Sequence, residues 1–414
     1  MPSEQVDFLL NSFQHFGINL GLERICKTLD SLDRPEKAVP IVHVAGTNGK
    51  GSVCAYLSSI LTEAGYRVGR FTSPHLVDWT ERICLNNQAI ASARLLQILE
   101  EVKAAIDPEF ETPTQFEVIT AAAFLYFAQE KVDVAVVEVG LGGRLDSTNV
   151  CDRPLVSVIT SIGMDHWQRL GNTLDKIAGE KAGILKQDCP AVIGEMPEIA
   201  AKVIQEKVTQ LNCPTTWVKS AETIEGNLAK YGNFEYALPL LGEIQLHNSA
   251  VAIAAIYSLR NQGWTISDEA LRVGLAKTKW AGRIEWKQWK NRQILIDGAH
   301  NGVAAEALRN YVDTLPQPIT WVMGMLSTKD HQNIFKALLR PGDRLHLVPV
   351  GGHSSAKPVE LGMMAQLICP ALQNCRTHDN LPEALDQAIA TTETIVLCGS
   401  LYLLGEFLGY EAQI

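Results

Sequence analysis

Apolar residues fall along the chain in two patterns, short unbroken runs and longer stretches of helical period. AVPIVHVA (38–45) is a run suited to a strand buried on both faces, and SVCAYLSSILTEAG (52–65) carries apolar residues at helical spacing until Gly65 closes it. YRVGRFTS (66–73) predicts a strand ending at Ser73 and Pro74. TQFEVITAAAFLYFAQEK (114–131) is rich in helix formers and leads into VDVAVVEVG (132–140), a continuous buried strand. A strand in PLVSVITSIG (154–163), a helix in TLDKIAGEKAGIL (173–185) and a strand in PAVIG (190–194) follow. Strands apolar on both faces that alternate with helices imply a mostly parallel sheet covered on both sides.

That alternation is expected to fade after Gly194. YGNFEYALPLLGEIQL (231–246) reads as antiparallel strand, and HNSAVAIAAIYSLRNQG (247–263) as helix. TKWAGRIEWKQWKNRQ (278–293) breaks the periodicity with Trp, Arg and Gly, which marks a hinge. A second series then runs through QILIDGAHN, a helix to Leu315, ITWVMGM, HQNIFKALL, RLHLVPV and ETIVLCGSLYLLGEFLG. The expected division is a larger domain over 1–279, a linker over 280–292 and a smaller α/β domain over 293–414. No internal repeat relates the halves.

Composition narrows the class. A chain of 414 residues is longer than one hydrophobic core usually supports, so two domains are expected. The nine cysteines include no pair separated by only two residues, and they read as buried apolar side chains of a reducing compartment. The N-terminus lacks a basic start followed by an apolar core, and no apolar run is long enough for a bilayer, so a cytoplasmic protein is expected. With 36 Lys plus Arg against 46 Asp plus Glu, the net charge of -10 argues against a nucleic-acid surface. An anionic ligand must therefore be held by local groups.

The first such group is GTNGKGS, residues 46–52, between an apolar strand and an amphipathic helix. Backbone amides and a helix N-terminus there suit a phosphate, with Lys50 as point charge and the Ser52 hydroxyl as a metal ligand. The spacing departs from the usual phosphate loop: the first glycine of that pattern would fall at Val44, and Gly51 separates Lys50 from Ser52. The competing reading is a tight turn capped by Thr47 or Asn48. In VVEVGLGGRLDSTNV, Glu138 lies in an apolar strand and calls for a cation. A magnesium ion accounts for it, and a buried ion pair with Arg144 is the alternative. Asp165 and His166 end a third strand, Ser73 ends a second, and Lys181 follows in a helix. In the second half, Arg283, Asp297 and His300 suit phosphate and ribose recognition.

Taken together, GTNGKGS, TSPHL, ERI, EVGLGGRLDSTN, MDH, EKAGIL, GRIE, DGAHN and GSLYL resemble the folylpolyglutamate synthase and dihydrofolate synthase family, relatives of the Mur peptidoglycan ligases. The blocks keep family order from about residue 16 to residue 402, and the extra Gly51 is a mark of this family's loop. The fold implied is an N-terminal P-loop ATPase-like domain with a mostly parallel sheet and a smaller C-terminal Rossmann-like domain. The resemblance also implies ATP at the domain interface, held by Gly46, Thr47, Asn48, Gly49, Lys50, Gly51 and Ser52, with Asn248 near adenine and Arg283 and Asp297 closing over the nucleotide. It implies Mg2+, as two ions, on Ser52, Ser73, Glu138 and His166, and a CO2-derived carbamate on Lys181. Lys50, Lys181, His166, Glu138 and His300 are its catalytic group.

FGINLGLERI (16–25) resembles the pterin-pocket segment of bifunctional bacterial members. It points to Leu20, Gly21, Leu22 and Arg24, joined by Thr114, Phe116 and Asp146, for dihydropteroate or folate; His300, Ser400 and Tyr402 are implied for L-glutamate. Ile244 stands where many members carry a His, which bears on one adenine-side contact. The activity implied is ATP-dependent addition of glutamate to dihydropteroate and to reduced folates through an acyl phosphate. Polyglutamylation alone is the second choice and a Mur-type peptide ligase the third. A monomer acting on small molecules, without nucleic acid or membrane, is expected.

Overall fold

The computed structural model describes residues 2–13 and 19–411, and part of the FGINLGLERI segment lies outside them. The chain forms two compact units. The first comprises Met1–Gly163, Leu170–Pro239 and Leu246–Thr278; the second comprises Met164–Arg169, Leu240–Gln245 and Lys279–Ile414.

The first unit is built on eight strands: β1 (Ile41–Ala45), β2 (Val68–Phe71), β3 (Ile83–Leu85), β4 (Gln88–Ala89), β5 (Val134–Glu138), β6 (Val156–Ile159), β7 (Ala191–Ile193) and β8 (Thr215–Trp217). Their order is β4-β3-β2-β5-β1-β6-β7-β8, parallel except for the β2-β3-β4 edge. Every residue of β1, β5 and β6 is buried, as the unbroken apolar runs require. Two core clusters share the sheet face that carries Ile41, Ala45, Ala135, Val137 and Ile159: one packs the helices Ser92–Ala105 and Gln115–Gln129 with Leu9, Leu10, Ile25 and Leu29, and the other packs Leu174–Ala182 and Glu198–Gln210. The helix Lys50–Glu63 is buried from Gly51 through Leu61, and Ser59 Oγ donates to Gly274 O at 2.6 Å.

Two expectations for this unit are corrected. The alternation continues past Gly194 through the helix Glu198–Gln210 into β8, an edge strand whose polar, exposed Thr215–Trp217 carries no apolar run. The run 231–246 is strand only over Phe234–Ala237, in a three-stranded antiparallel sheet of β9 (Glu222–Glu225), β10 (Leu228–Tyr231) and β11 (Phe234–Ala237). The helix Ile244–Asn261 has already begun before that run ends.

The second unit carries a six-stranded sheet of β12 (Glu285–Trp289), β13 (Arg292–Ile296), β14 (Ile319–Met323), β15 (Arg344–Leu347), β16 (Asn374–Thr377) and β17 (Thr394–Cys398). The order is β12-β13-β17-β14-β15-β16, parallel apart from the β12-β13 hairpin. The segment 280–292, read as a linker, thus contains the edge strand β12 and the turn of its hairpin with β13. Its Trp289 is buried beside Phe407 and donates to Asp386 Oδ1 at 3.0 Å. Trp286 and Trp289, three residues apart, fall on opposite faces of this strand among charged and amide residues, so it shows no continuous apolar run.

Candidate active site

In the first unit the loop after β1 is pinned to the loop after β6. Thr47 N donates to Ser161 O at 2.8 Å, Asn48 N to Ser161 Oγ at 3.1 Å and Gly163 N to Thr47 Oγ1 at 3.0 Å, while Asn48 O accepts from Thr160 Oγ1 at 2.6 Å. Thr47 and Asn48 therefore anchor the loop and do not cap the helix. The residue that caps the helix Lys50–Glu63 is Gly49, at φ +84°, with no side-chain capping bond. Both conditions demand glycine: the left-handed backbone, and the Asn248 amide, with which a Cβ here would collide. Gly46 likewise leaves room for Thr160 Oγ1. The first amides of a long buried helix thus meet a loop without a carboxylate, which is an anion site by geometry. Lys50 Nζ donates to Gly46 O at 3.1 Å and Thr47 O at 3.3 Å, holding the ammonium at this loop.

Lys181 is 5 % exposed, and its Nζ donates to Gly46 O at 2.8 Å. A lysine enclosed at the phosphate loop is not the solvated helix lysine that its sequence context allows. Glu138 ends β5 at 4 % exposure and accepts from Ser73 N at 3.1 Å with Oε2. Its alternative partner, Arg144, instead pairs with Glu180 at 2.8 Å. Ser52 is buried at 2 % exposure on the first turn of the helix. Hydroxyl oxygens and one carboxylate are a hard-oxygen donor set, and they fit Mg2+ that shares its shell with phosphate.

Toward the N-terminus, Arg24 is 5 % exposed. Its Nε donates to Glu117 Oε2 at 3.0 Å, Nη1 to Glu111 Oε1 at 3.2 Å and Nη2 to Asn19 O at 2.6 Å. Glu117 also accepts from Thr114 N at 2.6 Å, completing a capping box with Thr114 at the start of the helix Gln115–Gln129. The same ion pair thereby fixes the Leu20–Gly21–Leu22 approach and the first turn bearing Phe116. The Phe116 ring occupies the space that a Cβ on Gly140 would need. Asp146 is buried, with Leu141 N at 2.7 Å, Thr148 N at 3.0 Å and Thr148 Oγ1 at 2.5 Å on its carboxylate. Burial pushes its pKa up against those hydrogen bonds. Its visible role is to shape the 140–148 loop.

In the second unit the segment Met164–Arg169, which enters the short helix Trp167–Leu170, brings Asp165 into a cage of donors. Lys329 Nζ donates to Oδ1 at 2.8 Å, His166 N to Oδ1 at 2.9 Å and Asn301 Nδ2 to Oδ2 at 3.2 Å, with His300 Nε2 at 3.5 Å. Burial alone would raise this carboxyl; the His300 hydrogen bond and the charges of His300 and Lys329 hold it well below the usual carboxylate range. Sequence reasoning missed Lys329, because STKDH reads as a solvated turn. His166 holds φ +50°, an uncommon conformation for a residue with a side chain. His300 Nδ1 donates to Gly298 O at 2.7 Å.

Asp297 accepts from Ile284 N at 2.9 Å and Ala299 N at 2.8 Å, and Arg283 lies against Gly298 with Nη1 on Gly282 O at 3.1 Å. Burial raises Asp297, opposed by the Arg283 charge and those amides. Ser400 Oγ accepts from Tyr402 N at 3.2 Å at the start of the helix Leu401–Glu411, and Gly399 N donates to Ala299 O at 3.0 Å. His300, Ser400 and Tyr402 therefore stand on adjoining turns at the C-terminal ends of β13 and β17, where open α/β sheets take ligands.

Residues 44–256 match the Mur ligase middle domain and residues 282–410 the dihydrofolate synthetase C-terminal domain. A Bacillus subtilis dihydrofolate synthase/folylpolyglutamate synthase is 36 % identical over 414 residues, covering 94 % of this chain and 95 % of its own length. The structure of Escherichia coli FolC in complex with DHPP and ADP aligns at a TM-score of 0.87 and 30 % identity, covering 100 % of this chain and 98 % of that one. A bifunctional folylpolyglutamate synthase/dihydrofolate synthase solved with Mn, AMPPNP and L-glutamate bound aligns at 0.86 and 31 % identity, covering 98 % of both chains. The fold, the two matched domains and relatives similar along nearly the whole chain place this protein in the dihydrofolate synthase/folylpolyglutamate synthase family of Mur-type ligases.

Proposed function

We propose that the protein is an ATP-dependent ligase that joins L-glutamate to dihydropteroate and, as a second activity, to reduced folates. The carrying observation is the uncapped helix start at Gly49, with Lys50 and the enclosed Lys181 both on Gly46 O. Relatives bearing both activity names and a neighbour solved with DHPP and ADP support the acceptor and the nucleotide.

A carboxylate is a poor acyl donor, so its oxygen attacks the γ-phosphorus of ATP, giving an acyl phosphate and ADP. The glutamate amine then adds to the carbonyl carbon, loses a proton, and the tetrahedral adduct expels phosphate. Amides of 46–52 and the Lys50 ammonium offset charge on the transferring phosphoryl group. Ser52, Ser73 and Glu138 would hold Mg2+, with His166 assigned to the same metal role, and the ion would supply further charge neutralisation. A carbamate on Lys181 would exchange a buried cation for an anion suited to that metal network.

The proposed 1–279 domain is assigned the nucleotide and the pterin, the latter at Leu20, Gly21, Leu22, Arg24, Thr114, Phe116 and Asp146, all of them in the first unit. Within it Asn248, against Gly49, is assigned to the nucleotide. The second unit is assigned glutamate at His300, Ser400 and Tyr402, with Arg283 and Asp297 for the nucleotide. The enzyme acts as a cytoplasmic monomer in this reading, and among the described residues no helix is long and apolar enough to cross a membrane.

The test is glutamate-dependent ADP release, run in parallel with dihydropteroate and tetrahydrofolate. Turnover with both is expected. Turnover with tetrahydrofolate alone reduces the function to polyglutamylation, and turnover with neither overturns the reading.

A further inference from the structure

The helix Leu401–Glu411 begins at the strand end where Ser400 and Tyr402 lie, and it also holds a loop that no motif singles out. That loop, 348–357, joins β15 to the helix Pro358–Ile368. Its His353 ring stacks on the Tyr402 ring with centroids 3.6 Å apart and planes 23° apart. One turn further along the same helix face, the Glu406 carboxyl lies against the Gly351 backbone amide. Burial raises the Glu406 pKa, with Tyr410 and the Gly351 amide opposing the rise.

The other shoulder of the loop is tied to the turn after β14. Ser327 N donates to Ser354 O at 2.8 Å, the Ser327 and Ser354 hydroxyls lie 3.0 Å apart, and Ala356 N donates to Met325 O at 2.8 Å. Ser355 Oγ accepts from Val350 N at 2.9 Å, closing the loop on itself. An exposed loop anchored at four backbone positions, with one aromatic ring laid flat on another, is built to hold that second ring still.

We propose that His353 is a positioning residue for glutamate capture: its imidazole clamps the Tyr402 side chain in the rotamer that receives the amino acid. The proposal rests on the assignment of Tyr402 to glutamate. Tyr402 follows a turn bonded to Ala299, the residue before His300, at the C-terminal end of β17. A tyrosine free to rotate there would lose conformational freedom at each binding event. With the ring already stacked, that loss is met during folding. Burial lowers the His353 pKa, which keeps the ring neutral and the stack apolar near neutral pH.

The experiment is steady-state kinetics on the full-length enzyme for His353→Ala, His353→Phe, Tyr402→Ala and His353→Ala/Tyr402→Ala. Aromatic pair energies correspond to a rise of about three- to ten-fold in the glutamate KM for His353→Ala. In that variant kcat and the KM values for ATP and dihydropteroate stay within about twofold of wild type. His353→Phe restores the glutamate KM, because it keeps the stack. The double variant matches Tyr402→Ala alone, since the histidine acts only through the tyrosine. Raised glutamate KM in Tyr402→Ala with no change in His353→Ala overturns the proposal and leaves the glutamate assignment standing. An unchanged glutamate KM in Tyr402→Ala removes the assignment and the proposal together. Equal losses in every KM and in kcat for His353→Ala assign the loop a merely structural role and also overturn it.

Discussion

Replacing Lys329 with methionine isolates the energetics of the buried polar centre in the second unit. The Lys329 and Asp165 side chains are 7 % and 8 % exposed and meet at 2.8 Å. Removing one partner of such a pair leaves the other charge enclosed, at a cost of about 3–5 kcal/mol. Three donors remain on Asp165, namely His166 N at 2.9 Å, Asn301 Nδ2 at 3.2 Å and His300 Nε2 at 3.5 Å, so the loss belongs at the lower end, about 3 kcal/mol. For a domain of this class that is a drop of roughly 6–12 °C in the unfolding midpoint. The assay is thermal and urea unfolding of Lys329→Met beside Asp165→Asn/Lys329→Met. The double variant should recover at least half of the loss, because no uncompensated charge stays buried. A single variant that loses less than about 1 kcal/mol, or a double variant no better than the single, would refute the reasoning.

Other expectations are as specific. Gly49→Ala forces a side chain into a left-handed backbone and onto Asn248. It should cost about 1–2 kcal/mol in stability and raise the ATP KM at least about tenfold, and a variant with wild-type ATP saturation would show that the loop does not hold the nucleotide. Lys181→Ala should be inactive and partly rescued by short carboxylic acids, with mass spectrometry of gently handled wild-type enzyme showing one added CO2; active enzyme with unmodified Lys181 would remove that role. Burial, with the charges of His378, Arg376 and Arg344, lowers His346 to about 4. Between about pH 6.5 and 4 the unfolded chain therefore binds the extra proton, so stability falls as pH drops through that window. His346→Gln should flatten the dependence of midpoint on pH there, and parallel curves would contradict it.

The parts of the fold legible in the sequence are those where both strand faces are buried. β1, β5 and β6 announce themselves as continuous apolar runs because no residue on either face meets water. β12 and β8 do not: β12 mixes half-buried, exposed and buried positions within five residues, and the three residues of β8 are half-buried or exposed. β3 has only three residues and β4 only two, and both residues of β4 are exposed. At the site, glycine and lysine spacing exposes the loop 46–52 because backbone geometry there admits few alternatives. Partnerships were hidden where they span long sequence separations: Arg24 finds Glu117 and Asp165 finds Lys329 only once the chain has folded. Charged residues carry no periodic signal that marks them as enclosed, so Lys329 reads like any surface lysine.

The central claim, that glutamate is joined through an acyl phosphate, has a direct isotopic test. Dihydropteroate labelled with oxygen-18 in its carboxylate is turned over with ATP and L-glutamate, and the released phosphate is analysed by mass spectrometry. The account predicts that one labelled oxygen moves from each carboxylate to phosphate, because that oxygen attacks the γ-phosphorus and leaves with it. Unlabelled phosphate released in step with amide formation would contradict it.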